Sequence, residues 1–227
     1  MTKPTPFIAP PCLEDVEILY RDNDFLIVNK PSGLLSVPGR LSENKDCLIT
    51  RLQEQDPCAM IVHRLDMDTS GVMIIALNKD SHRQLSRQFE QRQTKKTYRA
   101  NVYGIVKEDR DSINLPIITD WPNRPKQKVD FNEGKSSLTH YQVIDRDDTK
   151  QITQLLLTPI TGRSHQLRIH LAEIGHPILG CDFYAHDEAK LMSQRLMLHA
   201  CYLGFYHPSN NEWLDFKCEA SFDIPMN

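Results

Sequence analysis

The chain has 227 residues, 40% hydrophobic and 25% charged, with a net charge of -3. That is enough apolar material for a core without staples, and it excludes a globally basic nucleic-acid binder but not a local basic patch. No apolar run approaches the roughly 20 residues of a membrane helix, and the first twelve residues lack the apolar segment of a secretory signal. Six cysteines without one C-x-x-C pair argue against a zinc site or a disulfide framework and for reduced thiols in a cytoplasm.

Four prolines among the first eleven residues predict an extended arm over 1–15. VEILY at 16–20 and FLIV at 25–28 flank the polar turn RDND and predict a hairpin. KPSG at 30–33 then breaks the strand. A helix is predicted over 47–55, stopped by Pro57, and a buried strand over 72–77 (VMIIAL). Residues 79–93 have helical spacing, with Leu85, Phe89 and Arg92 on one side and Arg83 and Arg87 on another. Strands follow at 97–103, 138–144 and 152–157. A helix is predicted over 161–175, with Thr161 as its cap, Leu167, Leu171 and Ile174 as its apolar stripe and Gly175 at its close. Late strands fall at 195–206 and 213–217. Strands outnumber helices and come in consecutive pairs, which predicts an α+β fold with a mixed, largely antiparallel sheet flanked by helices and loops.

The chemistry concentrates in VHRLDMDTSG, residues 62–71, with Asp66 and Asp68 one residue apart. A magnesium-dependent phosphatase presents its carboxylates as D-x-D at the end of an apolar strand. Here His63 and Arg64 precede Asp66, the strand comes afterwards, and the only late acidic cluster, Asp145 to Asp148, reads as an exposed loop. An inert alternative has Asp68 or Thr69 capping a turn while Asp66 pairs with Arg64. His63 is either a base or a hydrogen-bonded structural residue. Seven Lys or Arg stand between Lys79 and Arg99 against Asp80 and Glu90 alone. Arg83, Arg87, Arg92, Lys95, Lys96 and Arg99 are therefore candidates for binding an RNA backbone, with Arg124, Lys126 and Lys128 as a second, proline-stiffened contact.

His63 to Gly71 resembles the H-R-L-D-x-x-T-S-G signature of the RluA family of pseudouridine synthases. Asn29 to Gly33 resembles the family's K-P-x-G motif, Lys96-Thr-Tyr98 its K-x-Y motif, Thr161 to His170 its G-R-x-H-Q-L-R-x-H motif, and Leu198-His-Ala200 its late L-H-A segment. Four ordered motifs over about 16–206 form a specific signal. The resemblance implies that Asp66 is the catalytic carboxylate, that Tyr98 contacts the target base, and that Arg168 is the basic partner of Asp66. Without the resemblance, Arg168 would read as a surface helix residue near His165 and Ala172. The resemblance also implies that Arg64 fills the stack left by the extruded uridine and that Asp68 occupies a variable position. No metal and no organic cofactor is expected. The stretches at 34–40 and 121–128 are similar to the short family members acting on both large-subunit (23S-type) ribosomal RNA and the tRNA anticodon stem-loop. The implied partner is RNA, with no membrane and no obligate protein partner. Residues 16–227 are expected to form one catalytic domain, without the separate N-terminal RNA-binding domain of larger relatives. A catalytically silent RNA-binding module on the same fold is the rival reading.

Overall fold

The computed structural model describes residues 7–222. In chain order its elements are β1 (Glu17–Arg21), β2 (Phe25–Lys30), α1 (Leu48–Gln53), β3 (Met60–Ile61), β4 (Ser70–Ala76), α2 (Lys79–Glu90), β5 (Lys95–Tyr103), β6 (Arg110–Asn114), β7 (Ile117–Thr119), β8 (Gln127–Val129), β9 (Leu138–Asp147), β10 (Ile152–Pro159), α3 (Gln166–Glu173), α4 (Asp187–Leu191), β11 (Leu198–Tyr206) and β12 (Trp213–Lys217). Ten strands form one sheet in the order β1-β2-β4-β11-β5-β10-β9-β6, with β3 added to β4 and β12 to β11, and β7 and β8 form a separate pair. The β4–β11 contact is parallel and the other named pairs are antiparallel. The mixed α+β class is the one expected. No helix among the described residues is long and apolar enough to cross a membrane.

The first hairpin forms as its sequence demands. The Asp22 carboxylate accepts from the Asp24 and Phe25 amides and closes the turn between β1 and β2. β4 is buried along its whole length, which explains its uninterrupted apolar run. In α2, the Asn78 side chain accepts from the Ser81 amide, and Ser81, Leu85 and Gln88 face inward. That helix stops at Glu90, short of the expected 93, because Arg92 turns the chain through a left-handed conformation (φ 57°). The short or polar elements β3, β6, β7, β8 and α4 carry too few apolar positions to show in the sequence.

Apolar side chains gather in two clusters. One is built on β2, β4 and α1 with Leu85 of α2. The other is built on β5, β10 and α3. β11 serves both, giving Leu198 to the second and Ala200, Leu203 and Phe205 to the first, and Tyr98 packs against each. The clusters meet where β4 touches β11 at only two positions, Ser70 beside His199 and Gly71 beside Ala200. A side chain at residue 71 has no room: a Cβ would lie 2.3 Å from the Ala200 carbonyl oxygen, and φ is +116°. A buried hydrogen-bond chain locks the seam. His199 Nε2–H donates to the Cys218 carbonyl (3.0 Å), its Nδ1 accepts from Ser70 Oγ (2.8 Å), and Ser70 Oγ accepts from Arg195.

This seam makes the fold acid-sensitive. Burial lowers the His199 pKa from its ordinary 6.5 to about 4. Between those values the unfolded chain binds a proton that the folded chain refuses, so stability falls as pH drops from about 6.5 to 4, by roughly 3 kcal/mol from this residue. Half-buried His63, whose pKa desolvation and the nearby Lys96 charge lower to about 3, acts in the same direction. Urea unfolding at pH 7 and pH 4.5 is expected to show the loss, and His199→Asn is expected to flatten it. Equal slopes for the two proteins would assign the acid sensitivity elsewhere.

The helix expected over 161–175 is shorter than its sequence suggested. α3 begins at Gln166, and Thr161 does not cap it. His165 adopts a left-handed conformation (φ 55°, ψ 15°) that ends the helix on its N-terminal side. Residues 161–165 instead wrap around the Gln166 side chain, whose Oε1 accepts from Thr161 Oγ1 (2.8 Å) and the Arg163 amide (3.0 Å). Gln166 through Leu171 are all buried, so α3 has no single apolar stripe, and Ile174 is partly exposed. Its polar residues are satisfied inside: His170 bonds Thr139 and the Leu115 carbonyl.

Candidate active site

Asp66 sits in the loop between β3 and β4, and the KPSG segment braces that loop from below. Lys30 is fully buried and donates to the carbonyls of Pro31 (2.8 Å), Leu34 (2.7 Å) and Met67 (2.8 Å). Those three acceptors use all three ammonium protons and hold the charge against burial, which pulls the Lys30 pKa down to about 7. The Gly33 amide also donates to Met67 O, Ser32 Oγ to Asp68 O and Ser36 Oγ to Leu65 O. The backbone on both sides of Asp66 is thereby fixed, and the Thr69 amide closes a turn onto the Asp66 carbonyl.

The Asp66 side chain projects into a cleft of about 1030 Å³, lined among others by Arg64, Asp66, Tyr98, Arg163, His165 and Arg168. Asp68 does not line that cleft. It is half-buried, and desolvation together with nearby Asp182 raises its pKa, against Arg168 and Lys30. The D-x-D pair therefore offers one carboxylate to the cleft, whereas a magnesium site needs two there.

Arg168 projects from α3 with only 2% of its side chain exposed, so the surface-residue reading is overturned. Its Nη1 lies 3.6 Å from Asp66 Oδ2, its Nη2 donates to Asp182 Oδ1 at 2.8 Å, and its Nε donates to Cys181 Sγ at 3.4 Å. The guanidinium also faces the rings of Phe183 and Tyr184, at 5.1 and 5.7 Å. Burial works against its charge, and Cys181, Asp66 and Asp182 outweigh burial. The expected Asp66–Arg168 pair is present in the structure.

Tyr98 stands on β5 in register with Ala200, itself the partner of Gly71. The seam thus sets the tyrosine beside the Asp66 loop. Burial and the Asp66 charge both raise the Tyr98 pKa, so the phenol stays protonated. His63 lines the cleft and is held by the backbone and by Phe89. Its Nε2 accepts from the Ile74 amide (3.2 Å), its ring stacks on Phe89 at 4.4 Å, and burial keeps it neutral. Arg64 is exposed at the cleft wall and has no ion pair among the described residues, so it does not neutralise Asp66.

A family profile described as RNA pseudouridylate synthase matches residues 24–173. The chain belongs to that family of RNA pseudouridylate synthases. This synthase is 58% identical over 205 residues to the dual-specificity RNA pseudouridine synthase RluA of Yersinia pestis, spanning 90% of this chain and 99% of the relative. It is 51% identical over 215 residues to the protein of the same name from Escherichia coli strain K12, spanning 94% and 97%. Among solved structures it resembles human RNA Pseudouridylate Synthase Domain Containing 1, with a TM-score of 0.78 at 31% identity over 94% of this chain and 86% of that one. Human RNA Pseudouridylate Synthase Domain Containing 4 gives 0.71 at 26%, over 89% and 88%.

The synthase does not gather its basic residues on one face. Arg92, Lys95 and Lys96 line the cleft with Arg64. Lys96 lies over the Phe89 ring, half-buried, and burial lowers its pKa. Arg83 and Arg87 lie on the exposed side of α2, where Arg83 pairs with Asp80. Arg99 lies outside the cleft lining, 3.8 Å from Glu219. Arg124, Lys126 and Lys128 belong to the β7–β8 segment. There Arg124 stacks over exposed Trp121 at 4.6 Å, Lys128 pairs with Asp130, and Pro125 reaches the cleft wall. Sequence reasoning passed over Asp182, Phe183, Tyr184 and Arg163 and gave His165 no role. A run of Cys-Asp-Phe-Tyr just after a helix rich in basic side chains was the available signal.

Proposed function

We propose that this synthase converts specific uridines in stem-loops of large-subunit ribosomal RNA and of the tRNA anticodon arm to pseudouridine, acting in a cytoplasm with Asp66 as its catalytic carboxylate. One observation carries the reading: in the cleft the Asp66 carboxylate stands 3.6 Å from a fully buried guanidinium and beside a protonated tyrosine. The isomerisation breaks the N1–C1′ bond and forms C5–C1′, with a proton lost from C5 and one gained at N1. No electron and no phosphoryl group moves. One ionised carboxylate suffices, as nucleophile or as base, and Arg168 opposes the cost of holding it charged in a partly dry cleft. In this reading the Tyr98 ring, at the cleft wall, stacks on the uracil and retains it once the glycosidic bond is broken.

The target base must leave its stack, at a cost of a few kcal/mol. Arg64, exposed at the cleft wall and unpaired among the described residues, suits the role of filling the vacated space, and Arg92, Lys95 and Lys96 suit phosphate contacts beside it. Purified protein is expected to form pseudouridine in an anticodon stem-loop. Arg64→Ala is expected to lose at least about tenfold more single-turnover rate on that folded substrate than on a short unstructured RNA, where little stacking has to be replaced. No product from the wild-type protein on either ribosomal or transfer RNA would refute the proposed function. Equal losses on both substrates would move Arg64 from stack-filling into the bond-making steps.

A further inference from the structure

Asp66 has a second neighbour besides Arg168. His165 Nε2 lies 4.0 Å from Asp66 Oδ2. His165 holds an uncommon left-handed backbone. Its ring lies against Phe183 at 5.6 Å, nearly parallel, and its Nδ1 is 2.7 Å from Tyr184 Oη. That same hydroxyl oxygen accepts from the Gln127 amide of β8 at 2.8 Å.

The proton count fixes the direction of the chain. The Gln127 N–H can only donate, so Tyr184 Oη accepts there. Among the described residues the tyrosine's own proton has one acceptor in reach, His165 Nδ1. The imidazole is then neutral with its proton on Nε2, facing the carboxylate. The opposite tautomer would aim a lone pair at an anion and leave the Tyr184 proton without an acceptor. We propose that Tyr184 and His165 are positioning residues: the hydrogen-bond chain from the β8 backbone through Tyr184 to His165 keeps an Nε2–H aimed at Asp66 Oδ2 from 4.0 Å, so that the contact can close onto Oδ2 and leave Oδ1 for the substrate. Arg168 supplies charge to the same oxygen at 3.6 Å, and both contacts can tighten when substrate fills the cleft.

Burial agrees with this assignment. It raises the Tyr184 pKa to about 12, keeping its proton, and lowers that of His165. The charged groups facing His165 are Asp66, Arg168 and Asp182.

The inference rests on the proposed function, and its test separates the two. Single-turnover isomerisation of a stem-loop would be measured from pH 5 to 8 for wild type, Tyr184→Phe, His165→Gln and His165→Ala, with RNA affinity and circular dichroism alongside. Tyr184→Phe keeps the ring and loses the proton donor. Its rate at pH 8 is expected to fall about tenfold with affinity unchanged. The deficit relative to wild type is expected to shrink only at the acid end, below the ordinary imidazole range, because burial lowers the His165 pKa and an imidazolium, once formed, donates from Nε2 whatever Nδ1 does. His165→Gln carries an N–H of similar reach and is expected to outperform His165→Ala. A Tyr184→Phe deficit that is absent or independent of pH overturns the positioning role, and so does His165→Gln no better than His165→Ala. Should Tyr184→Phe fail to fold, the two His165 variants decide alone. A wild type that forms no pseudouridine refutes the proposed function, and is recognised as such before any variant is compared.

Discussion

Asp66→Asn is expected to leave no measurable pseudouridine formation while the protein still folds and binds RNA. The substitution keeps the shape and removes only the charge, and the other carboxylate lining the cleft, Glu90 at the end of α2, makes no ion pair with Arg168. Asn is neither a nucleophile nor a base at neutral pH, so the loss should reach at least about 10⁴-fold in single-turnover rate, roughly 5.5 kcal/mol of barrier. Stability should not suffer. Asp66 stands near Asp68 and contributes to raising its pKa, so neutralising residue 66 relieves a repulsion, while Arg168 keeps Asp182 at 2.8 Å. Filter binding, thermal unfolding and single-turnover mapping on one preparation would test all three statements. Near-normal turnover would remove Asp66 from the chemistry.

Arg168→Met is expected to damage both fold and activity. The guanidinium is buried against Asp66, Asp182, Cys181 and two aromatic rings. Removing it leaves Asp66 and Asp182 without their cation, but both carboxylates keep contact with solvent, so the cost is about 1–3 kcal/mol, below that of a fully buried pair. In a chain of this size that corresponds to a fall in Tm of about 2–12 °C. Turnover in the surviving folded fraction should fall at least about 10²-fold, because Asp66 loses its cationic neighbour. Arg168→Lys should rescue little. An ammonium reaches one carboxylate as a point charge and cannot span Asp66, Asp182 and Cys181 with a planar fork. A Tm within about 1 °C of wild type for Arg168→Met would show that the network contributes nothing to the fold.

The sequence was legible wherever local physics decides the outcome. Period-two patterns and polar turns marked β1, β2, β9 and β10, and the apolar run marked β4. Ordered motifs marked the loop of Asp66 and the approach of Tyr98 and Arg168. It was opaque where a side chain answers to something distant. Arg168 looked like a solvent-facing helix residue because its partners Cys181 and Asp182 lie beyond the end of the helix and Asp66 lies about a hundred positions earlier. The start of α3 was misread because the Gln166 amide, and not Thr161, organises the preceding loop. The basic run from Lys79 to Arg99 looked like one patch because a linear string does not record that α2 and β5 point successive side chains in different directions.

The narrow seam at Gly71 and Ala200 bears on how the protein matures. Asp66 and its brace belong to the cluster built on β2 and β4, while Arg168 and His165 belong to the segment on the other side, and Tyr98 touches both. A nascent chain that has formed only its N-terminal strands owns a carboxylate with no guanidinium beside it. β11, which welds the two parts together, is among the last elements to be synthesised. Asp66, Tyr98 and Arg168 therefore come together only with residues 198–206 seated between β4 and β5. A partly made chain that meets RNA has no assembled centre with which to modify it.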